Sequence, residues 1–390
     1  MSEKNNKYTP NLRFPEFTGE WKEVLVKDIC DINTGKSNTQ DQVADGLYPF
    51  FIRSATPVRS NRYLYDCEAV ITIGDGQIGK VFHYVNGKFD LHQRCYMMSN
   101  FRGVDCRYFY HFFSNNFYDR AMRLSAKATV DSVRLEMISD MPIFIPPTPA
   151  EQRKIASCLS AMDDLIAAQA EKVEALKEKK MGLMQQLFPQ PGETTPRLRF
   201  PEFTGEWEEK SINDCFEFKQ GVQCPVDLQA LQKRDGYIRF IRIIDLTQSG
   251  EPPRYIADPG LAHHICKEDL FMVRYGSPGL VGYGYEGVIA NNLFRLLPKF
   301  DMCTKFFKDI LTALHKNIAA LCGIGALPAI NFSTLGLLRI SLPPTIAEQQ
   351  KIADCLSALD DQIAAETEKL TALKEHKKGL MQQLFPQPAK

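Results

Sequence analysis

No run in this 390-residue chain approaches the roughly 18 consecutive apolar residues that a membrane span needs. The opening MSEKNNKYTP is polar and unlike a signal peptide. Cysteine occurs eleven times, an odd number, with no C-x-x-C spacing. That excludes a disulfide framework and a zinc ribbon, and reads as reduced thiols in a cytoplasm. An excess of either charge is also missing, because 47 basic residues meet 47 acidic ones. A simple basic nucleic-acid binder is therefore not expected. What is present, 44% hydrophobic and 24% charged residues, suits a globular protein of two or three domains.

The chain is written twice. LRFPEFTGEW stands at 12–21 and again at 198–207. The stretch 146–191 returns at 343–388 with 35 of 46 positions identical. Between these shared blocks lie two dissimilar stretches, 22–145 and 208–342, with faint echoes of each other. Phe51-Ile52-Arg53 pairs with Phe240-Ile241-Arg242, and Arg62-Tyr63-Leu64 with Arg254-Tyr255-Ile256. One frame holds two different variable domains.

Each shared block after its Pro-Pro repeats apolar residues in steps of four and three, the period of a coiled coil. The first seam runs through Ile155, Leu159, Ile166, Gln169 and Lys180, and the second through Ile352, Leu356, Ile363, Glu366 and Lys377. Pro-Pro before and Phe-Pro after mark the ends of a helix about 57 Å long. Matching seams predict that the two helices pair antiparallel. Placing Gln169 against Lys377 and Lys180 against Glu366 keeps the polar seam groups together, so that register is expected. The chain also ends as its central linker begins, LFPQPA against LFPQPG. This predicts a pseudo-twofold tandem repeat with its termini close together.

The variable stretches read as α+β domains. Ala69–Ile73 and Lys80–Tyr84 are strand candidates, and 106–125 and 303–321 are helix candidates. Gly74-Asp75-Gly76-Gln77-Ile78-Gly79-Lys80 satisfies G-x-G-x-x-G and narrowly misses a Walker A, since Val81 stands where Ser or Thr belongs, but both phosphate motifs need a helix to follow. Here a β-branched and aromatic run follows, which makes a hairpin turn. Tyr275-Gly276-Ser277-Pro278-Gly279 holds a comparable place in the second stretch. No Asn- or Asp-Pro-Pro-aromatic loop, H-E-x-x-H or metal-spaced carboxylate set is found, so neither catalysis nor a metal is expected on this chain.

What remains are polar, basic and aromatic side chains in loops, suited to base edges and phosphates. In the first domain these are Arg53, Ser54, Arg59, Asn61, Arg62, Tyr63, Gln77, His92, Gln93, Arg94 and Lys127. In the second they are Arg242, Asp245, Arg254, Arg274, Tyr275, Ser277, Asn291, Asn292 and Arg295.

LRFPEFTGEW, the helix openings Ala150-Glu151-Gln152 and Ala347-Glu348-Gln349, and the Gly-Leu-Met-Gln-Gln-Leu-Phe-Pro exits together resemble the specificity (S) subunit of type I restriction-modification enzymes. The resemblance covers nearly the whole chain. It implies an α+β fold with two target recognition domains joined by two long antiparallel coiled-coil helices. The implied boundaries are 1–148 for the first domain, 149–190 for the first helix and linker, 191–342 for the second domain and 343–390 for the second helix. It further implies a non-catalytic, cytoplasmic DNA-binding subunit that reads a bipartite asymmetric site in double-stranded DNA. Two modification (methyltransferase) subunits and restriction/translocase subunits are its implied partners. S-adenosylmethionine, ATP and magnesium belong to those partners, and no membrane is involved. The rival readings are a coiled-coil adaptor that does not bind DNA, and a stand-alone methyltransferase or nuclease.

Charge by segment sharpens the neutrality. The stretches 22–145 and 208–342 each carry 15 basic and 14 acidic residues. With so little charge to displace counterions, the chain alone is expected to bind DNA weakly and its partners to supply much of the phosphate grip.

Overall fold

The computed structural model describes residues 8–125, 132–190, 193–248, 250–322 and 328–386. It divides into two compact units, Met1–Ala170 with Glu368–Lys390, and Glu171–Thr367. The division runs through both long helices, Pro149–Leu187 and Ile346–Leu384, rather than at their ends as the expected boundaries have it. Each unit is thus a variable domain with a segment of either helix. No helix among the described residues is long and apolar enough to cross a membrane.

In the first unit the variable stretch starts on β1 (Lys22–Leu25) and ends on β8 (Pro142–Ile145). The two pair antiparallel, Lys22 opposite Ile145 and Leu25 opposite Pro142. Between them one six-stranded sheet forms from β2 (Asp31–Thr34), β3 (Tyr48–Phe51), β4 (Val58–Ser60), β5 (Tyr65–Ile73), β6 (Phe82–Leu91) and β7 (Cys95–Ser99). Its order is β2-β7-β5-β6-β3-β4, with β3 parallel to β6. The apolar run 69–73 is buried throughout, as the core of such a sheet requires. The helix Cys106–Ser125 lays Tyr108, Phe109, Phe112, Phe113 and Phe117 into a core shared with Ile155, Leu159, Met381 and Leu384 of the long helices.

The second unit repeats the ribbon, with β9 (Glu208–Ser211) antiparallel to β18 (Arg339–Leu342). Its sheet is broken in two. One half is β10 (Phe216–Gln220), β17 (Leu293–Pro298), β14 (Leu270–Val273) and β15 (Val281–Gly282). The other is β12 (Arg254–Ala257), β11 (Tyr237–Ile241), β16 (Gly287–Ile289) and β13 (His264–Ile265). The long β6 of the first unit has become two short strands, β15 and β16. Glycines explain the break. A Cβ on Gly282 would lie 2.1 Å from the Phe271 ring, and one on Gly287, at φ +142°, would lie 2.3 Å from the Arg239 carbonyl. The helix expected over 303–321 is likewise two, Thr304–Ala313 and His315–Ala320.

The sequence echoes are shifted. Phe50 and Phe51 pair with Asp90 and Leu91, as Phe240 and Ile241 pair with Val288 and Ile289. Arg242 therefore matches Ile52, not Arg53. Phe240 faces Arg254 where Phe50 faces Val58, so Arg254 does not match Arg62 either.

The long helices pair antiparallel within each unit, but not in the expected register. Lys180 meets Asp360 at 2.6 Å and Lys377 meets Asp163 at 2.5 Å, while Glu366 receives Lys172. This is about one heptad from the register that opposes Lys180 to Glu366 and Lys377 to Gln169. The expectation weighed only seam residues and missed Asp163 and Asp360 beside the seam. A lysine stem can lie along the apolar seam and carry its ammonium to such a carboxylate. Ile155, Leu159, Ile352, Leu356 and Gln169 are buried, whereas Ile166 and Ile363 are only partly covered.

Candidate nucleic-acid interface

The shared motifs build the frame that aims each variable domain. Arg13 donates Nε–H and Nη2–H to Glu151, at 2.7 and 2.9 Å, and Trp21 donates its indole N–H to the same carboxylate at 3.3 Å. Arg199 and Trp207 hold Glu348 in the same way, at 2.8, 2.8 and 3.2 Å. Both carboxylates are fully buried. The next residue also works twice, since Gln152 accepts from the Asp105 amide and Gln349 from the Cys303 amide. Backbone bonds repeat as well, with Leu12 N–H to the Gln383 carbonyl and Leu198 N–H to the Gln186 carbonyl, both at 3.0 Å. The described N-terminal segment therefore lies against the end of the C-terminal helix, in line with the expectation of neighbouring termini.

In the first unit the Gly-rich segment 74–79 is the turn between antiparallel β5 and β6, as expected. Gly76 and Gly79 take φ of +83° and +66° there. Asp75 at this turn gathers two arginines from different loops. Arg94 Nη1 lies 2.7 Å from its carboxylate, and Arg53 Nη1 lies 3.2 and 3.3 Å from its two oxygens. Partial burial pushes the Asp75 pKa up, and the guanidinium groups of Arg94 and Arg53 more than offset this, so it ends below the ordinary range. His92 is buried beside them, and burial together with Arg53 and Arg94 lowers its pKa. Gln77 is exposed on the turn, and Gln93 reaches the Asn38 side chain. A hollow of about 450 Å³ opens between residues 52–55 and 75–77.

The second unit builds the same turn differently. Gly276 and Gly279 again have positive φ, between β14 and β15, and Ser277 lies between them. Arg274 donates Nη1–H to Gln220 at 3.0 Å and Nε–H to the Ile330 carbonyl at 3.3 Å, over the Phe332 ring. Its amide bonds the Asn292 carbonyl, and Gln220 bonds that of Asn291. Tyr275 bridges Ala329. Nearby, the Asp245 side chain is buried and holds Arg242 through Nε and Nη2 at 3.0 and 3.3 Å, and Arg239 at 2.9 Å.

Other candidates lie apart from these clusters. Arg59 braces the carbonyls of Gly46 and Leu47, and Ser54 donates to Thr56 within its own loop. Arg62 joins Ser37, Asp41 and Asp90. Tyr63 stands edge-on to Tyr48 under Lys88, with Asn61 exposed beside it. Arg254 lies on β12, and Arg295 faces Lys219 across the β10–β17 ladder. Lys127 lies outside the described residues. Sequence reasoning missed Asp75 and Gln220, which hold arginines, and Arg239, which shares Asp245 with Arg242. An acidic residue flanked by turn glycines was the one available signal for Asp75.

Where variable domain meets long helix, the units differ again. His111 is buried in the first, with Nε2 3.1 Å from Ser160 and Nδ1 3.9 Å from the Asp163 carboxylate that Lys377 reaches. Burial, helped by Lys377 and Arg107, pushes its pKa down to about 3. The second unit places buried Asp309 among Lys308 at 2.7 Å and Lys180 at 3.7 Å, and both lysines also reach Asp360.

These arrangements can be set beside known proteins. The type I restriction modification DNA specificity domain matches the chain twice, over residues 18–178 and 204–375. The type I restriction enzyme EcoDI specificity subunit of Escherichia coli is 23% identical over 240 residues, 60% of this chain, and the match spans about half (51%) of that relative. The MjaVIII specificity subunit of Methanocaldococcus jannaschii is 23% identical over an alignment covering 98% of this chain and 95% of that relative. The S subunit of a type I restriction-modification system from M. genitalium aligns with a TM-score of 0.66 at 16% identity, covering 98% of this chain and all of that one. A chain solved for complex assembly and conformational transition of the type I R-M system aligns at 0.55 and 15% identity, covering 95% and 98%. At such identities the structural likeness speaks for the fold, a two-domain α+β tandem. The doubled domain match covers most of the sequence, and on that ground the chain belongs to the type I restriction modification DNA specificity family.

Proposed function

We propose that this chain is the DNA-reading subunit of a type I restriction-modification complex, with each variable domain reading one half of a bipartite, asymmetric site. The observation that carries this is one frame bearing two dissimilar faces. The Arg–Trp–Glu clasp and the Lys–Asp helix pairs recur, while the turns at 74–79 and 275–279 present different side chains. A protein that needed only to tether partners would have no use for two unlike loop clusters on one repeated scaffold. In this reading the paired helices set the unread spacer and dock two modification subunits. Adenine methylation with S-adenosylmethionine, and ATP- and magnesium-dependent translocation and cleavage, belong to partner subunits in the cytoplasm.

Methylated-site mapping in a host producing the chain with its modification subunits tests this. Two separated half-sites, methylated only when the chain is present, are expected. Replacing residues 22–145 should change one half-site and leave the other. Lengthening both long helices by the same number of heptads should lengthen the spacer alone. A motif independent of the chain, or both half-sites changing together, overturns the reading.

A further inference from the structure

We infer that the first variable domain recognises a guanine through a fork of two arginines, Arg53 and Arg94, set by the positioning residue Asp75. This rests on the reading of the chain as a DNA-recognition subunit. The three residues come from separate segments, Arg53 just past β3, Asp75 in the β5–β6 turn, and Arg94 between β6 and β7. Each arginine commits one terminal nitrogen, Nη1, to Asp75. The Nε–H and Nη2–H groups of both donate to no described residue. Their side chains are 45% and 61% exposed, and Arg53 and Asp75 line the 450 Å³ hollow. A guanidinium with Nε–H and Nη2–H side by side matches two neighbouring acceptors, and guanine offers O6 and N7 in the major groove.

Phosphate is the competing ligand for any arginine pair. Here a carboxylate sits between the two arginines and cuts the cluster's charge from +2 to +1, which weakens its pull on an anion while leaving the neutral acceptor edge of a base unopposed. The second domain also gathers two arginines on one carboxylate, but among its described residues the forks are spent differently: Arg239 commits Nη2 to Asp245. Arg242 uses Nε and Nη2 on Asp245 and is 17% exposed. Arg274 is tied to Gln220 and the Ile330 carbonyl.

The experiment uses the full chain with its modification subunits and maps methylated sites for the wild type, Arg53→Ala, Arg94→Ala, Arg94→Lys and Asp75→Asn. The wild-type motif is expected to require guanine at a position of one half-site. Arg94→Ala and Arg94→Lys should each relax that requirement about ten-fold or more. Arg53→Ala and Asp75→Asn should relax the same half-site, and the other half-site and the spacer should stay fixed. Arg94→Lys keeps the charge but loses the fork, so it separates base reading from charge, and its methylation elsewhere reports an intact fold. An unaltered motif methylated less everywhere would mean phosphate contact and overturn the fork. An unchanged motif, or relaxation in the other half-site, overturns it too. A wild-type motif that does not depend on this chain removes the DNA-reading proposal and the fork with it, whereas failure of the fork alone leaves the wild-type motif chain-dependent.

Discussion

Where the first unit buries His111 beside Asp163 and Lys377, the second buries Asp309 among Lys180, Lys308 and Asp360. Tyr110 stands in the first unit where Lys308 stands in the second, each just before the buried group. The first junction thus holds one ion pair and two uncharged side chains, and the second holds two acids and two lysines. Both are formally neutral. The difference teaches that the frame conserves charge balance at the helix junction rather than particular residues. A carboxylate can replace a histidine there because its neighbour became a lysine. By contrast the Arg–Trp–Glu clasp is identical in both units, down to distances that agree within about 0.1 Å.

The clasp should give the largest effect. Glu151→Ala leaves Arg13 without its buried partner, and about 3 kcal/mol of stability should be lost. Glu348→Ala should cost the same, measured as the shift in chemical unfolding midpoint. A clear inequality would break the equivalence of the two units.

Acidification comes next, because the junctions should respond in opposite directions. His111 folds neutral, with its pKa lowered from 6.5 to about 3. Its contribution is therefore complete above pH 6.5 and is lost progressively as pH falls toward 3. Asp309 has its pKa raised by burial, against the pull of Lys308. Its contribution is complete below pH 3.8 and is lost as pH rises through the raised value. Unfolding midpoints between pH 7 and pH 4 should show a smaller acid loss in His111→Phe than in the wild type, and a larger one in Asp309→Asn. Parallel curves for all three would refute the contrast.

The smallest effect concerns the helix register. Asp360 receives two lysines and Asp163 one, and both carboxylates are partly exposed, which weakens them. Asp360→Ala should cost about 1 kcal/mol and Asp163→Ala about 0.5 kcal/mol. Equal losses would show that Lys308 adds nothing at that junction.

The duplicated frame was legible because identity over tens of residues needs no knowledge of contacts. Both helix ends and the 74–79 hairpin followed from proline, glycine and period. Register was not legible, since Asp163 and Asp360 stand off the repeating seam and only the paired geometry shows a lysine reaching them. The three-residue echoes misled because Phe50-Phe51 offers two alignments against Phe240, and ladder pairing alone selects one. Among the candidate residues, Arg53, Gln77, His92 and Arg94 converge, while Arg59 and Arg295 do not. Residue type cannot separate these, as convergence depends on strands distant in sequence. Asp75 escaped notice because it reads only as part of the glycine turn, and its arginines come from segments distant in sequence.

The clasp has one more consequence. Arg13 and Trp21 precede the variable stretch and Glu151 follows it, so the seal on each cassette is made wholly from sequence that the two halves share. Any middle that can return its last strand to its first arrives at a closure already complete. An exchange of whole middles would then leave that closure intact, and novelty in recognition is separable from integrity of the clasp.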